Sequence, residues 1–543
     1  MPTADWKLVG GSVIDGTGAP ARRADVAIRA GRIAGLGELS GLEAAHVLDC
    51  TGRIVAPGFI DIHSHADWLL PGADHGALVE PFVRQGMTTV ATGNCGFSPA
   101  PVSARSRDAA RGASRLLHDG SLEPRWETMS AFLDALSEAG VALNVCQLVG
   151  HGSVRSAITG ALEPRAPQPD ELRAMERLVD EALDAGCAGL STGLGYAPGI
   201  FAGEAELEAF AAMAARHGKL FTSHLKAYSW VSGVYTHDPK QDPHNLAALR
   251  EILRVARAAG VRLQVSHLIF VGRNTWPNHG EALRLIEQAR AGGVDVAFDA
   301  FPYTAGNTTC AVIFPAALLP RLEEVLRDPA QLAGLARFAE TAFAALGFGL
   351  ADIQLMHCDV PEWNHLDGLR VPEAARTLGL EPFEFYARLT VASRRNARVL
   401  NHTYSGDRGE EEALRAVLAH PLCTIETDTI LTRDGHQNPA SFGTFPRVLG
   451  AYVREGLFSL EEAVRRMTGA AAERLNLRDR GFVRRGQAAD LVIFDPARLA
   501  DRATFEQPDR PPEGIDDVFV NGRPVLRGGA YDAGAKAGVV IRS

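Results

Sequence analysis

Eight short apolar runs, separated by longer amphipathic stretches, constrain this chain more than any other feature. They lie at 59–62, 87–92, 142–149, 188–192, 220–224, 262–267, 294–300 and 423–428. Runs of this length bounded by glycine, proline and polar residues read as buried strands. The segments between them, such as 171–185, 205–217, 246–259 and 281–291, carry apolar residues at helical spacing. Strand and helix in strict alternation predict the α/β class, and eight repeats predict a TIM-like (β/α)8 barrel over residues 57–482. One interval is too long for a single connecting helix. It falls between the seventh and eighth runs, so an insertion is expected at about 310–365, partly helical at 318–327 and 331–346.

Both ends of the chain have a different texture. Residues 1–56 and 483–543 hold short alternating segments with glycines at the bends, and Asn521-Gly522 marks a hairpin turn. One small β-sandwich assembled from both termini accounts for this. Two unrelated β extensions are the alternative.

Composition narrows the class of function. The 543 residues are 46% hydrophobic and 22% charged, with a net charge of −10, and no basic cluster suits a nucleic acid. No apolar run approaches the roughly 18–20 residues that span a bilayer. The start, Met-Pro-Thr-Ala-Asp-Trp-Lys, lacks the basic and apolar regions of a signal peptide, so a cytoplasmic location is expected. Seven scattered cysteines without a Cys-x-x-Cys pair argue for thiols or a ligand rather than a disulfide framework. Oligomeric state is left open.

Chemistry concentrates where the strands end. Gly58-Phe59-Ile60-Asp61-Ile62-His63-Ser64-His65 puts two imidazoles two residues apart, on one face of a strand. Cys95, His224, His267 and Asp428 close the second, fifth, sixth and eighth runs. In a barrel of this kind the C-terminal strand ends share one face. Imidazoles, a thiolate and a carboxylate gathered there form a ligand set for one or two zinc ions. Each has an ordinary alternative: a buried apolar cysteine, a core histidine, a loop-capping aspartate. Their joint placement favours the metal.

With these motifs, and with Gly93-Asn94-Cys95-Gly96, Gly189-Leu190-Ser191-Thr192-Gly193-Leu194, Thr222-Ser223-His224, Val265-Ser266-His267, Pro302-Tyr303-Thr304-Ala305-Gly306 and Phe442-Gly443-Thr444-Phe445-Pro446-Arg447, the chain resembles the amidohydrolase superfamily. Within it, the chain resembles the D-aminoacylase (N-acyl-D-amino-acid deacylase) family over nearly its whole length. The resemblance implies a zinc-dependent hydrolase of N-acyl-D-amino acids, a small-molecule N-acyl substrate, and neither nucleic acid nor membrane as partner. It implies one tightly bound Zn2+ on Cys95, His224 and His267, and a weaker or optional second ion on His63, His65 and Asp428. Asp428 is then the general base, and Tyr303, matching a family tyrosine, the oxyanion donor. Tyr196 matches a family tyrosine after the fourth strand, and His151 also matches a family feature, without a role assigned.

Departures bear on the substrate. The family usually has a lysine two residues beyond the sixth-strand histidine, resembling a carboxylate anchor, and here that position is Ile269. Lys226, Arg273 or Arg433 are the candidates to replace it. The alternative is a substrate without a free α-carboxylate, or a cyclic amide. Thr429 follows Asp428 where relatives usually have glycine. Phe201, Trp230, Phe270 and Trp276 are candidates to line an apolar pocket, with packing as their alternative. A barrel that kept the fold and lost catalysis is the non-enzymatic alternative.

Overall fold

The computed structural model describes residues 3–235 and 242–543. Its centre is a run of eight parallel strands: β1 (Phe59–Asp61), β2 (Met87–Thr92), β3 (Asn144–Gly150), β4 (Gly189–Gly193), β5 (Leu220–His224), β6 (Arg262–Val265), β7 (Val296–Ala300) and β8 (Cys423–Ile425). Each pairs with the next in order. The ring closes beyond the last strand, where Ser64 and Thr429 form a parallel bridge and the Asp428 N–H donates to the His63 carbonyl at 3.1 Å. Helices Pro169–Asp184, Glu204–Arg216, His244–Ala259 and His279–Ala291 follow β3 to β6 and cover the outside with their apolar faces. All eight expected strands are present. β6 and β8 end earlier than expected, because the chain turns out of the sheet just before His267 and Asp428.

The two termini build one sandwich. A four-stranded sheet comes wholly from the N-terminal segment, with Ala4–Val9 and Asp25–Arg29 at its centre. A seven-stranded sheet mixes both ends, since Ile54–Pro57 pairs antiparallel with Leu491–Phe494. Leu8, Val26, Ile28 and Leu48 from one end and Leu491, Ile493 and Phe519 from the other share a single apolar core. Asn521 and Gly522, both with positive φ, make the expected hairpin turn.

The excursion between β7 and β8 runs past the 310–365 bounds read from the sequence. Its first strand begins at Ala305 and its last ends at His402, forming an antiparallel sheet in which Arg398–His402 lies between Ala305–Thr309 and Ile353–His357. Helices Leu322–Arg327 and Pro329–Leu346 pack on it. It has its own core around Leu322, Ile353, Leu355, Tyr386 and Val399. The Arg398–His402 strand is invisible to local pattern because its partners lie far off along the chain.

Candidate metal centre

Three of the six expected ligands adopt a backbone conformation that residues other than glycine rarely use: Cys95 (φ 55°), His267 (φ 30°) and Asp428 (φ 46°). Such geometry costs on the order of 1–3 kcal/mol and concentrates at functional sites. In each case it lets a residue just past a strand end aim its side chain over the barrel mouth. The Cys95 turn is built for this. Gly93 has φ 79°, and a Cβ there would lie 2.0 Å from the Leu148 carbonyl oxygen. Asn94 Nδ2 donates to the Ala91 carbonyl at 3.0 Å.

The six side chains meet. His63, His65, Cys95 and Asp428 form one donor group, and Cys95, His224 and His267 form another, with Cys95 common to both. Cys95 Sγ lies 3.2 Å from His63 Nε2, 3.4 Å from His267 Nε2 and 3.7 Å from His224 Nδ1. His224 Nδ1 and His267 Nε2 are 2.9 Å apart. Asp428 Oδ1 stands 3.6 Å from His63 Nε2 and 3.5 Å from His65 Nε2. Ligands bound at about 2.0–2.3 Å in a tetrahedron are themselves about 3.3–3.8 Å apart. The donor set fits zinc, and most of the spacings do, while His224 and His267 at 2.9 Å stand closer than two ligands of one ion.

Electrostatics agree with the donor chemistry. Burial pushes the Cys95 thiol up, but His63 and His267 and the bonds from His224 and His267 outweigh it and hold Cys95 well below the usual thiol range. Burial lowers His65, while its bonds to Asp428 and Cys95 raise it to about 9. Burial and the facing His267 both lower His224. Asp428 is raised by burial and lowered by His65, His267 and His63, ending below the ordinary carboxylate range. Its side chain keeps 15% of its surface exposed, so it is reachable from the mouth.

The residues expected to hold substrate are more scattered. Tyr196 joins the site: its ring centroid is 4.8 Å from that of His224, and its hydroxyl donates to the Cys95 carbonyl at 2.8 Å. The other expected contacts are engaged elsewhere. Tyr303 donates its hydroxyl to Asp501 of the C-terminal segment at 2.8 Å, with the Arg447 guanidinium 4.8 Å from its ring centre. Lys226 is paired with Glu251. Arg273 binds Asp352 and Asp407, tying the β6 loop to the excursion and the segment after it. Arg433 bridges Asp74 and Asp119. Each cation found a carboxylate distant in sequence. Phe270 and Trp276 are buried in the core, and Trp230 is exposed.

Three carboxylates outside the expected set lie beneath the ligands. Asp61 accepts from the backbone N–H groups of His63 (3.2 Å) and Thr427 (3.1 Å). Asp299, from β7, accepts the His267 N–H at 2.6 Å. Glu426 is wholly buried, with no hydrogen-bond partner on either oxygen among the described residues, and burial pushes it well above the carboxylate range. Asp61 was detectable, since it lies two residues before His63 on the same strand face. His151 and Arg155 form a buried cluster with Glu206 at 2.9 and 2.6 Å.

The model of the amidohydrolase family matches residues 46–526. The chain belongs to the amidohydrolase family. It is 35% identical over 539 residues to a D-aminoacylase of Alcaligenes xylosoxydans xylosoxydans, covering 99% of this chain and 97% of that protein. To the N-acyl-D-glutamate deacylase of the same organism it is 36% identical over 528 residues, 96% and 93% of the two chains. A crystal structure of N-acyl-D-glutamate deacylase from Bordetella bronchiseptica, complexed with zinc and a phosphonate mimic of the reaction's tetrahedral intermediate, matches with TM-score 0.81 at 33% identity over 100% of both chains. Within the wider family, the chain thus belongs to the D-aminoacylase branch of metal-dependent amide hydrolases. No helix among the described residues is long and apolar enough to cross a membrane.

Proposed function

We propose that this protein hydrolyses the amide bond of N-acyl-D-amino acids or closely related N-acyl compounds, with zinc as its cofactor. The observation that carries this reading is the meeting of six donor side chains from five strand ends in two groups that share Cys95. Cys95, His224 and His267 are assigned to the tighter ion, and His63, His65 and Asp428 to the weaker one. Zinc held there supplies Lewis acidity and lowers the pKa of water from about 15.7 towards about 7.

The remaining chemistry belongs to the chain. Asp428, ionised and partly exposed, accepts a proton from the attacking water and returns it to the departing amine. His65 orients that carboxylate, and the Asn307 side chain fixes its backbone by donating to the Asp428 carbonyl at 2.8 Å. Tyr196 forms a wall beside His224. Residues 57–482 supply the catalytic barrel, with 1–56 and 483–543 as the sandwich that carries it.

The test is chelation and reconstitution: release of free amine from an N-acetyl-D-amino acid should vanish on zinc removal and return on its addition. Turnover untouched by complete zinc removal would sink the reading.

A second substrate reading has its own support. The position beyond His267 that would face a carboxylate is the buried Ile269, and Lys226, Arg273 and Arg433 are all paired with acids. A substrate carrying an amide or ester there leaves no charge without a partner. Comparing kcat/KM for an N-acetyl-D-amino acid and its α-carboxamide separates the two: preference for the acid favours the first, preference for the carboxamide the second.

A further inference from the structure

We propose that Asp299 is a positioning residue that serves both metal groups at once. It has no assigned role in the reading above, and the inference rests on that reading's ligand assignment. Asp299 stands near the end of β7, 1% exposed, beside His267 and Gln264 of the sixth strand segment and His63 of the first. Oδ1 accepts the His267 N–H at 2.6 Å, and the Asp299 main-chain carbonyl accepts the neighbouring Leu268 N–H at 2.8 Å. One residue thus takes both N–H groups of the left-handed turn that aims His267 at Cys95. The same Oδ1 lies 3.4 Å from Nδ1 of His63, the ring whose Nε2 faces Cys95 and Asp428.

The physical argument is one of tautomer and backbone together. A ligating imidazole can offer Nε2 only if its proton sits on Nδ1, and a carboxylate at Nδ1 selects that form. His63 Nδ1 is buried and closes no hydrogen bond among the described residues, and Asp299 Oδ1 stands 3.4 Å from it as its ion-pair partner, within reach of a proton carried there. The φ of 30° at His267 persists because surrounding contacts over-determine it, the short 2.6 Å bond to a carboxylate among them. Asp299 is itself held by Gln264, whose Nε2 donates to Oδ2 at 2.8 Å and to Thr424 Oγ1 at 3.1 Å. A single rigid carboxylate therefore sets the ring of one group and the turn of the other.

The experiment uses the full chain loaded with Co(II) or zinc. Asp299→Ala removes the acceptor, whereas Asp299→Asn keeps a carbonyl oxygen for the His267 and His63 contacts while setting its NH2 against the Gln264 Nε2 donor. The expected result for Asp299→Ala is about a 10–100-fold loss of affinity at both ions, read by titration against a chromophoric chelator, with an altered thiolate–cobalt band. Asp299→Asn should recover part of the affinity, more than Asp299→Ala retains, with the lost Gln264 bond accounting for the rest. In the unaltered zinc-loaded protein, histidine-selective 15N spectra should place the His63 proton on Nδ1. That measurement decides the matter if Asp299→Ala does not fold. Unchanged affinity and spectrum in Asp299→Ala, weakening of one ion alone, or a His63 proton on Nε2 would overturn the proposal. Absence of metal binding by the unaltered protein would contradict the ligand assignment instead, so the two failures are told apart.

Discussion

Cys95 belongs to both donor groups, so its removal acts on each. In Cys95→Ala, zinc content after dialysis should fall to background, measured by metal analysis, because four imidazoles and a carboxylate lose the donor they share. Asp428 separates binding from chemistry. Asp428→Asn should retain the tighter ion while turnover falls by roughly 10²–10⁴-fold, the ordinary worth of a general base. Near-normal kcat in that variant would remove Asp428 from the role. The identity of these residues was legible because all six close apolar runs, where a barrel collects its chemistry. Their aim was not, because a left-handed turn at Cys95, His267 or Asp428 leaves no mark in the sequence beyond the flanking Gly93 and Gly96. Tyr303 shows the opposite limit: its motif is plain, but its partner Asp501 lies 198 residues away.

The excursion between β7 and β8 carries a titratable element of its own. His402 Nε2 lies 3.1 Å from Gln354 Oε1, and Arg370 Nη2 lies 3.2 Å from Nδ1, an arrangement only the neutral ring satisfies. Burial and the nearby Arg370 lower its pKa to about 3. The unfolded chain takes up this proton near pH 6.5 and the folded one only near 3. Stability from this group is therefore full above pH 6.5 and is lost as pH falls towards 3, at up to about 1.4 kcal/mol per unit. Amide exchange in the strand Arg398–His402 should accelerate between pH 6.5 and 4.5 beyond the intrinsic change, and His402→Gln should flatten that dependence. No sequence pattern announced this strand, whereas the helices beside it were legible from their periodicity.

At the scale of the whole molecule, one buried carboxylate joins sandwich to barrel. Asp490 accepts from Arg480 at 2.5 Å, from Asn144 of β3 at 3.0 Å and from the Asn521 N–H of the hairpin at 2.7 Å. Val492, Phe494 and Val518 of the sandwich also share a core with Phe59 and Met87 of the barrel. Asp490→Ala leaves the buried Arg480 with only the half-exposed Asp479, 3.3 Å from its Nε, which should cost about 3 kcal/mol in denaturant unfolding. Barrel and sandwich amides should then lose exchange protection together. Strand–helix alternation made the barrel legible, and matching β texture at the two ends made the sandwich so. The long-range ion pairs that occupy Lys226, Arg273 and Arg433 could not be read, since each partner is set by the folded path of the chain.

The most direct measurement is release of free amine from matched N-acetyl-D- and N-acetyl-L-amino acids by the zinc-loaded protein. Turnover of the D series with the L series inert is the predicted result. No turnover of the D series by protein with zinc bound would contradict the account.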